Sequence, residues 1–256
     1  MRPSSSIRRV ARGVRRRLPS RPVTPLEVGR FKAPKDLAPL TEHETAATTE
    51  FEKAYYDAWQ NGRKAGRGTL SLSWFGYRTL KCPMDLWTYQ EILVEVRPDV
   101  VIECGTRHGG SAYYFASIMD LLGHGRIITV DIEVLKGRPV HPRITYISGS
   151  STDEAIVARL RRDTAGKRTM VVLDSDHSER HVANELVAYQ DMVSVGSYLI
   201  VEDTNVNGHP VRPEHGPGPM EALDGFLATT DDFVVDADRE RFMMTLNPRG
   251  FLRRVR

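Results

Sequence analysis

A chain of 256 residues with 40 % hydrophobic and 27 % charged residues is long enough for one substantial core and has the composition of an ordinary soluble globular protein. No apolar run approaches the ~18 residues that span a bilayer, so no membrane-crossing helix is expected; two cysteines, Cys82 and Cys104, are too few for a disulfide scaffold and fit a reducing cytoplasm. The net charge of +3 is uneven, because residues 1–21 hold eight arginines and no acid and leave the remainder at −5.

Residues 1–22 lack the continuous apolar segment of a secretory signal. Their apolar positions Ile7, Val10, Ala11, Val14 and Leu18 recur at helical spacing between arginines. That pattern fits a basic helix in peripheral contact with an anionic membrane, or a solvated tail. No aromatic residues interleave to stack on bases, so nucleic acid is not the expected partner. With the proline-rich residues that follow, 1–44 reads as a basic N-terminal extension. Residues 45–98 read as a helical cap region. It holds a helix from Thr45 to Gly62, a covering loop from Thr69 to Pro83 with Trp74, Phe75 and Tyr77, and a helix over Met84–Val96 with Asp85 as its N-cap.

From residue 99 to 256 the rhythm is regular. The apolar runs DVVIECG, RIITVD, RITYIS, TMVVLD and SYLIVED alternate with helical stretches around Ala112–Leu122, Asp153–Arg162 and His181–Val193. Such alternation gives an α/β fold, a parallel sheet with helices on both faces. DFVVD near 232–236 and FMMTLN with GFLRRV near 242–255 fit an antiparallel hairpin at one edge. The expected whole is a Rossmann-like, seven-stranded sheet.

In such sheets ligands bind beyond the carboxyl ends of the strands. The first run ends in the turn Glu103-Cys104-Gly105-Thr106-Arg107-His108-Gly109-Gly110-Ser111, in which Gly105 permits a tight turn, Gly109 and Gly110 let the backbone approach a ligand, and Ser111 helps cap the next helix. The spacing departs from the dinucleotide fingerprint, and an acid at Glu103 would repel a phosphate while it could hold an ammonium. The second run ends at Asp131, where a carboxylate can accept the hydroxyls of a ribose. A nucleoside with a cationic, phosphate-free tail answers both features, and S-adenosylmethionine is such a molecule. The fourth and fifth runs end at Asp174 and at Glu202-Asp203. Three carboxylates at neighbouring strand ends call for a hard divalent cation such as Mg²⁺. His177, three residues past Asp174, is placed to take a proton from a metal-bound hydroxyl. The segment Asn205–Met220, with three glycines and four prolines, reads as a lid.

VVIECGTRHGGSAYYFA, VVLDSDHSERHV and LIVEDTNVNGHPVRPEHGPGPMEAL resemble the cephalosporin hydroxylase and rhamnosyl O-methyltransferase family, a similarity that spans about Lys81 to Leu252. The resemblance implies a class I methyltransferase fold and an O-methyltransferase that moves a methyl group from S-adenosylmethionine to a sugar hydroxyl of a rhamnosyl-type glycoside or glycolipid. It places Glu103, Gly105 and Asp131 on the cofactor, along with Thr106, Gly109, Ser111 and Asp174 around the turn and Ser150 toward the adenine. It assigns Asp174, Glu202 and Asp203 to Mg²⁺ and His177 to the base, and it implies a homo-oligomer. Two alternatives stand beside it: a metal-dependent glycosyltransferase using Asp174-Ser175-Asp176 as its D-x-D, and a methyltransferase acting on a non-sugar hydroxyl.

Overall fold

The computed structural model describes Gly29, residues 40–64 and residues 72–256. The arginine-rich segment 1–21, and the membrane contact read from it, lie outside the described residues. Helix α1 (Glu42–Lys64) begins three residues before the expected Thr45. The reason is a reciprocal cap, in which Thr41 N–H donates to Glu44 Oε2 at 2.8 Å and Glu44 N–H donates to Thr41 Oγ1 at 3.3 Å. Part of the expected covering loop is a small antiparallel hairpin, β1 (Leu72–Trp74) and β2 (Tyr77–Thr79), which turns at Phe75 and Gly76.

Helix α2 (Pro83–Val96) opens on a proline, tolerated there because the first turn has no use for its N–H. Asp85 is not the N-cap the sequence suggests; Cys82 holds that position. The buried Asp85 carboxylate instead accepts from Thr245 Oγ1 at 2.5 Å and from Leu246 N–H at 3.0 Å, tying two distant segments together.

The rest of the chain alternates as expected: β3 (Val100–Cys104), α3 (Gly110–Leu122), β4 (Arg126–Asp131), β5 (Ile144–Ser148), α4 (Glu154–Thr164), β6 (Thr169–Leu173), α5 (Glu179–Tyr189), β7 (Tyr198–Val201), α6 (Pro219–Leu227), β8 (Phe233–Val235) and β9 (Phe251–Arg254). Seven strands form one sheet in the order β5-β4-β3-β6-β7-β9-β8. Strands β3 to β7 run parallel, and β9 runs antiparallel to both β7 and β8. Residues 242–247 do not form the expected strand, because Asp85 takes the Leu246 N–H that a ladder would need. Helix α6 is not among the expected elements, and its first two residues, Pro219 and Met220, fall in the segment that reads as a lid.

Alternation along the strands divides the core. Val100, Ile102 and Cys104 of β3 face α4, α5 and α6, whereas Val101 faces α2 and α3. Glu103 shares the parity of Val101 and so lies on the α2–α3 side. A third cluster, Tyr56 with Cys82, Val206, Val211, Met244 and Leu246, fixes α1 against the loop after β7. Within it Asn205 Nδ2 donates to the buried Glu52 Oε1 at 3.1 Å. No helix among the described residues is long and apolar enough to cross a membrane.

Asp85→Ala leaves the Leu246 N–H without its partner in a dry site. The expected loss is about 2–3 kcal/mol of unfolding free energy, read by urea denaturation.

Candidate active site

The strand ends β3, β4, β6 and β7 bring the sequence-predicted residues to one end of the sheet. Gly105, at φ +97°, lies so near the carbonyl of Asp174 that any Cβ would collide with it. Gly110 is pressed in the same way against the carbonyl of Arg78. Gly105 thus makes the tight turn expected of it and seats β6, whereas the close approach expected to serve a ligand is spent at Gly110 on seating β2 against the turn. Gly109 is the N-cap of α3 and no side chain caps that helix, so Ser111, which is buried, does not take the capping role expected of it.

Behind the turn a chain of hydroxyls fixes Glu103. Thr106 Oγ1 lies 2.7 Å from Thr129 Oγ1, and Thr129 Oγ1 donates to Glu103 Oε2 at 2.6 Å. Thr106 therefore orients the carboxylate through its neighbour. The other oxygen, Glu103 Oε1, is buried and has no hydrogen-bond partner among the described residues. Burial pushes the Glu103 carboxyl up, while Lys81, Ser111 and Thr129 pull it down. An orphaned carboxylate oxygen in a dry site is what a ligand ammonium would satisfy.

Asp131, one strand over, is already engaged. Its Oδ2 accepts from Arg107 N–H at 2.6 Å and pairs with Arg138 at 3.4 Å, and its Oδ1 accepts from Glu133 N–H at 2.8 Å. A carboxylate offers about four acceptor positions, so capacity for a diol remains. Ser150, past the end of β5, hydrogen-bonds Thr152 at 3.0 Å.

The acids after β6 and β7 separate into two groups. Asp174, His177 and Asp203 come together, with one ligand atom from each lying within 4.8 Å of the others. His177 Nε2 is 3.3 Å from Asp174 Oδ1 and Nδ1 is 3.2 Å from Asp203 Oδ2. Burial opposes charge on the imidazole, but Asp203 and Asp174 outweigh it and raise His177 to about 9. Glu202, expected in the same group, is turned away from it. Its Oε1 takes a hydrogen bond from Tyr89 at 2.6 Å and an ion pair with Lys81 at 2.5 Å. Adjacent strand residues point to opposite faces, so Glu202 continues the parity of Tyr198 and Ile200 toward α2. Asp203 reaches His177 from a positive φ of +54°, held by its own N–H donating to Asn247 Oδ1 at 2.9 Å.

Lys81 was missed by sequence reasoning; a lone lysine between Leu80 and Cys82 was the only signal. It is 3 % exposed and its ammonium pairs with both Asp174 and Glu202. Burial opposes its charge, yet the surrounding carboxylates raise it. Asp174 is held low, because Lys81 and His177 overcome the effect of burial. Burial dominates at Glu202, pushed to about 8, and raises Asp203 as well.

A cavity of about 350 Å³ joins the turn after β3 to the acid–histidine cluster, with Glu103, Asp131 and Ser150 outside its lining. It is lined by Gly105, Thr106, Gly110 and Ser111 of the turn, by Asp174, His177 and Asp203, by Arg78 and Leu80, and by Tyr56, Trp59 and Gln60 of α1. The 205–220 loop does not line it. That loop is stapled to α6 by Glu221, which accepts from Gly218 N–H at 2.7 Å, Asn207 at 2.9 Å and His209 at 2.9 Å.

Residues 68–255 match the family model described as rhamnosyl O-methyltransferase/CmcI. The chain belongs to this family. A rhamnosyl O-methyltransferase of Mycobacterium tuberculosis (strain ATCC 25618 / H37Rv) is 42 % identical over 206 residues, 77 % of this chain and 82 % of that one. One of Mycobacterium leprae (strain TN) is 40 % identical over 205 residues, covering 77 % and 88 %. A CmcI structure without ligands superposes at a TM-score of 0.58 over 91 % of this chain and 90 % of that one, at 22 % identity. A CmcI structure with Mg and SAM does so at 0.57 over 72 % and 77 %, at 23 % identity. These two likenesses show the fold. Glu103, Asp131, Asp174, His177, Glu202, Asp203 and Lys81 all fall in the span the family model matches.

Lys81→Met strands the buried carboxylate of Glu202 and the half-buried one of Asp174 and is expected to cost about 3–5 kcal/mol of stability. Protonated carboxyls need no counter-ion, so the deficit relative to the parent shrinks at acid pH and grows as pH rises through the ionisation of Asp174 and Glu202. Urea unfolding at acid and alkaline pH measures both.

Proposed function

We propose that this chain is an S-adenosylmethionine-dependent, Mg²⁺-dependent O-methyltransferase whose acceptor is a hydroxyl of a rhamnosyl-type sugar in a glycoside or glycolipid. The observation that carries this reading is the buried Glu103 Oε1, which has no donor among the described residues and lies at the foot of the turn whose Gly105, Thr106, Gly110 and Ser111 line one cavity with the acid–histidine cluster. The rhamnosyl O-methyltransferases at 40–42 % identity support the acceptor class.

S-adenosylmethionine fits the residues present. Glu103 Oε1 would accept from its ammonium, Asp131 would take the ribose hydroxyls, Ser150 would face the adenine, and Gly105, Thr106, Gly109 and Ser111 of the turn, with Asp174, would complete its surroundings. Mg²⁺ fits as well, because Asp174 and Asp203 offer hard oxygens in one cluster, while Glu202, the third acid expected there, would have to turn back from Lys81 to join them. When bound, the ion supplies Lewis acidity that lowers the pKa of a sugar hydroxyl. His177 is the base for that hydroxyl. With a carboxylate at each ring nitrogen the imidazole is held protonated, so it would act as base only once Asp174 releases Nε2; the hydroxyl proton would then go to Nε2, and Asp203 at Nδ1 would stabilise the imidazolium that forms. Methyl transfer itself needs alignment of the oxygen with the sulfonium carbon, which the fixed turn and the strand ends provide.

The glycosyltransferase alternative requires Asp174 and Asp176 to act together. Asp176 is exposed, and its Oδ1 accepts from Ser178 N–H at 2.9 Å, outside the Asp174–His177–Asp203 cluster.

His177→Ala is expected to abolish methyl transfer while S-adenosylmethionine still binds. Glu103→Gln is expected to weaken that binding about ten- to a hundredfold, the value of a hydrogen bond to a charged group. Calorimetric titration with S-adenosylmethionine, together with a radiolabelled methyl-transfer assay, separates the two effects; a fully active His177→Ala chain refutes the base assignment.

The finer reading of partners is a homo-oligomer, as the family resemblance implies, with peripheral membrane contact through the arginine-rich residues 1–21. Sedimentation of the full chain, alone and with anionic vesicles, against a chain starting at Val23 checks both. Expected are a mass above the monomer and vesicle binding that is lost on truncation.

A further inference from the structure

All but three residues lining the candidate cavity lie in the span that the family model matches, which begins at residue 68. The three are Tyr56, Trp59 and Gln60, all on α1, which ends at Lys64. The part of the cavity wall that the shared family span does not supply is therefore aromatic.

Trp59 does not stand alone. Phe51, Tyr55 and Trp59 recur every four residues and so form one line along α1. Their ring centroids are 6.3 Å apart from Phe51 to Tyr55 and 6.5 Å from Tyr55 to Trp59, and Tyr56 meets Trp59 at 6.3 Å. At ~1.5 Å of rise per residue the line covers about 12 Å. It starts at a cavity-lining ring, passes the half-buried Tyr55, and ends at Phe51, which is 54 % exposed and outside the third core cluster. Tyr55 and Trp59 rest partly on the third core cluster, so packing accounts for one side of them; Phe51 has no place in that cluster, and the line runs unbroken from a cavity-lining ring to this exposed one.

We propose that this line is the track for the apolar aglycone of the acceptor glycoside, whose sugar occupies the cavity. The inference rests on the reading of the chain as a sugar O-methyltransferase. Trp59, with Tyr56 held by a hydrogen bond from Gln60 Nε2 at 2.9 Å, offers a flat apolar face to the C–H-rich side of a pyranose. Tyr55 and Phe51 continue that surface outward, where the group attached to the anomeric carbon must leave the cavity. Aromatic side chains carry large contact area on few rotatable bonds, so an apolar group binds along them with little ordering cost. A small free sugar would leave most of the line uncovered.

The test titrates the full chain, loaded with S-adenosylhomocysteine and Mg²⁺, with two probes: methyl α-L-rhamnopyranoside and 4-hexyloxyphenyl α-L-rhamnopyranoside. The long-aglycone probe is expected to bind at least about tenfold more tightly to the parent chain. Phe51→Ala, at an exposed position where folding is not at issue, is expected to reduce that ratio about threefold, and Trp59→Ala to bring it near one. Trp59→Phe, which keeps a ring, should recover part of it. A ratio near one in the parent chain, or one unchanged by Phe51→Ala, overturns the track. Self-association that is lost in Phe51→Ala while the ratio stays unchanged overturns it in favour of a second copy of this chain. If neither rhamnoside binds the parent while S-adenosylhomocysteine does, the sugar reading falls and the track falls with it, a result distinct from a ratio of one.

Discussion

The ammonium of Lys81 is the constraint on which the site depends. Asp174 and Glu202 end neighbouring parallel strands and share one face of the sheet, where Glu202 and Glu103 are buried and Asp174 is half-buried. Without a cation among them, their mutual repulsion and their desolvation would oppose closure of α2 over the sheet. One lysine, placed just before α2, pairs with two of these acids directly and lies close enough to the third to offset part of the rise that burial imposes on its carboxyl. Tyr89, also from α2, donates to Glu202 from the same helix. The cap region and the sheet are thus joined through the charges that the chemistry needs, and not only through apolar contact.

That arrangement divides labour between residues that look equivalent in sequence. Glu202 and Asp203 are adjacent, yet one is drawn into the Lys81 pair and the other swings out to His177. The swing requires a left-handed backbone at Asp203, a conformation of the kind that costs of order 1–3 kcal/mol at a non-glycine residue and persists only when surrounding contacts hold it. Asn247, whose amide oxygen accepts the Asp203 N–H, is one such contact, and Asp85 in turn holds the segment that carries Asn247. A line of support therefore runs from α2 through Thr245 and Leu246 to the proposed metal site. The buried Asp85 belongs to the function by this route, although it touches no reacting group.

The two ends of the cavity differ in origin. The turn after β3 and the acids after β6 and β7 are built by the sheet and lie in the span that defines the family. The aromatic wall is built by α1, a helix that precedes this span and is anchored through Tyr56 and Glu52 to the loop after β7. Chemistry placed on the rigid sheet, with the proposed acceptor contact on a helix outside the span of the family model, would allow the second to vary without disturbing the first.

The alternation of apolar runs with helical stretches determined the α/β class and the seven strands, because strands buried on both faces must be continuously apolar. The residues ending those runs were legible for the same reason: in a parallel sheet a polar residue that closes an apolar run lies at the ligand-binding edge. Glu103, Asp131, Asp174, His177 and Asp203 were found in this way. What the sequence could not determine was direction. Period-two alternation locates a residue along a strand, but whether Glu202 faces a metal or a lysine, whether Asp85 caps its own helix or ties a segment 160 residues away, and whether Gly110 admits a ligand or the carbonyl of Arg78 depend on chain brought near from elsewhere. Lys81 shows the limit most clearly. A charge flanked by apolar residues carries no local mark of the partners it will meet, since its energy is set by acids that only the folded sheet places around it.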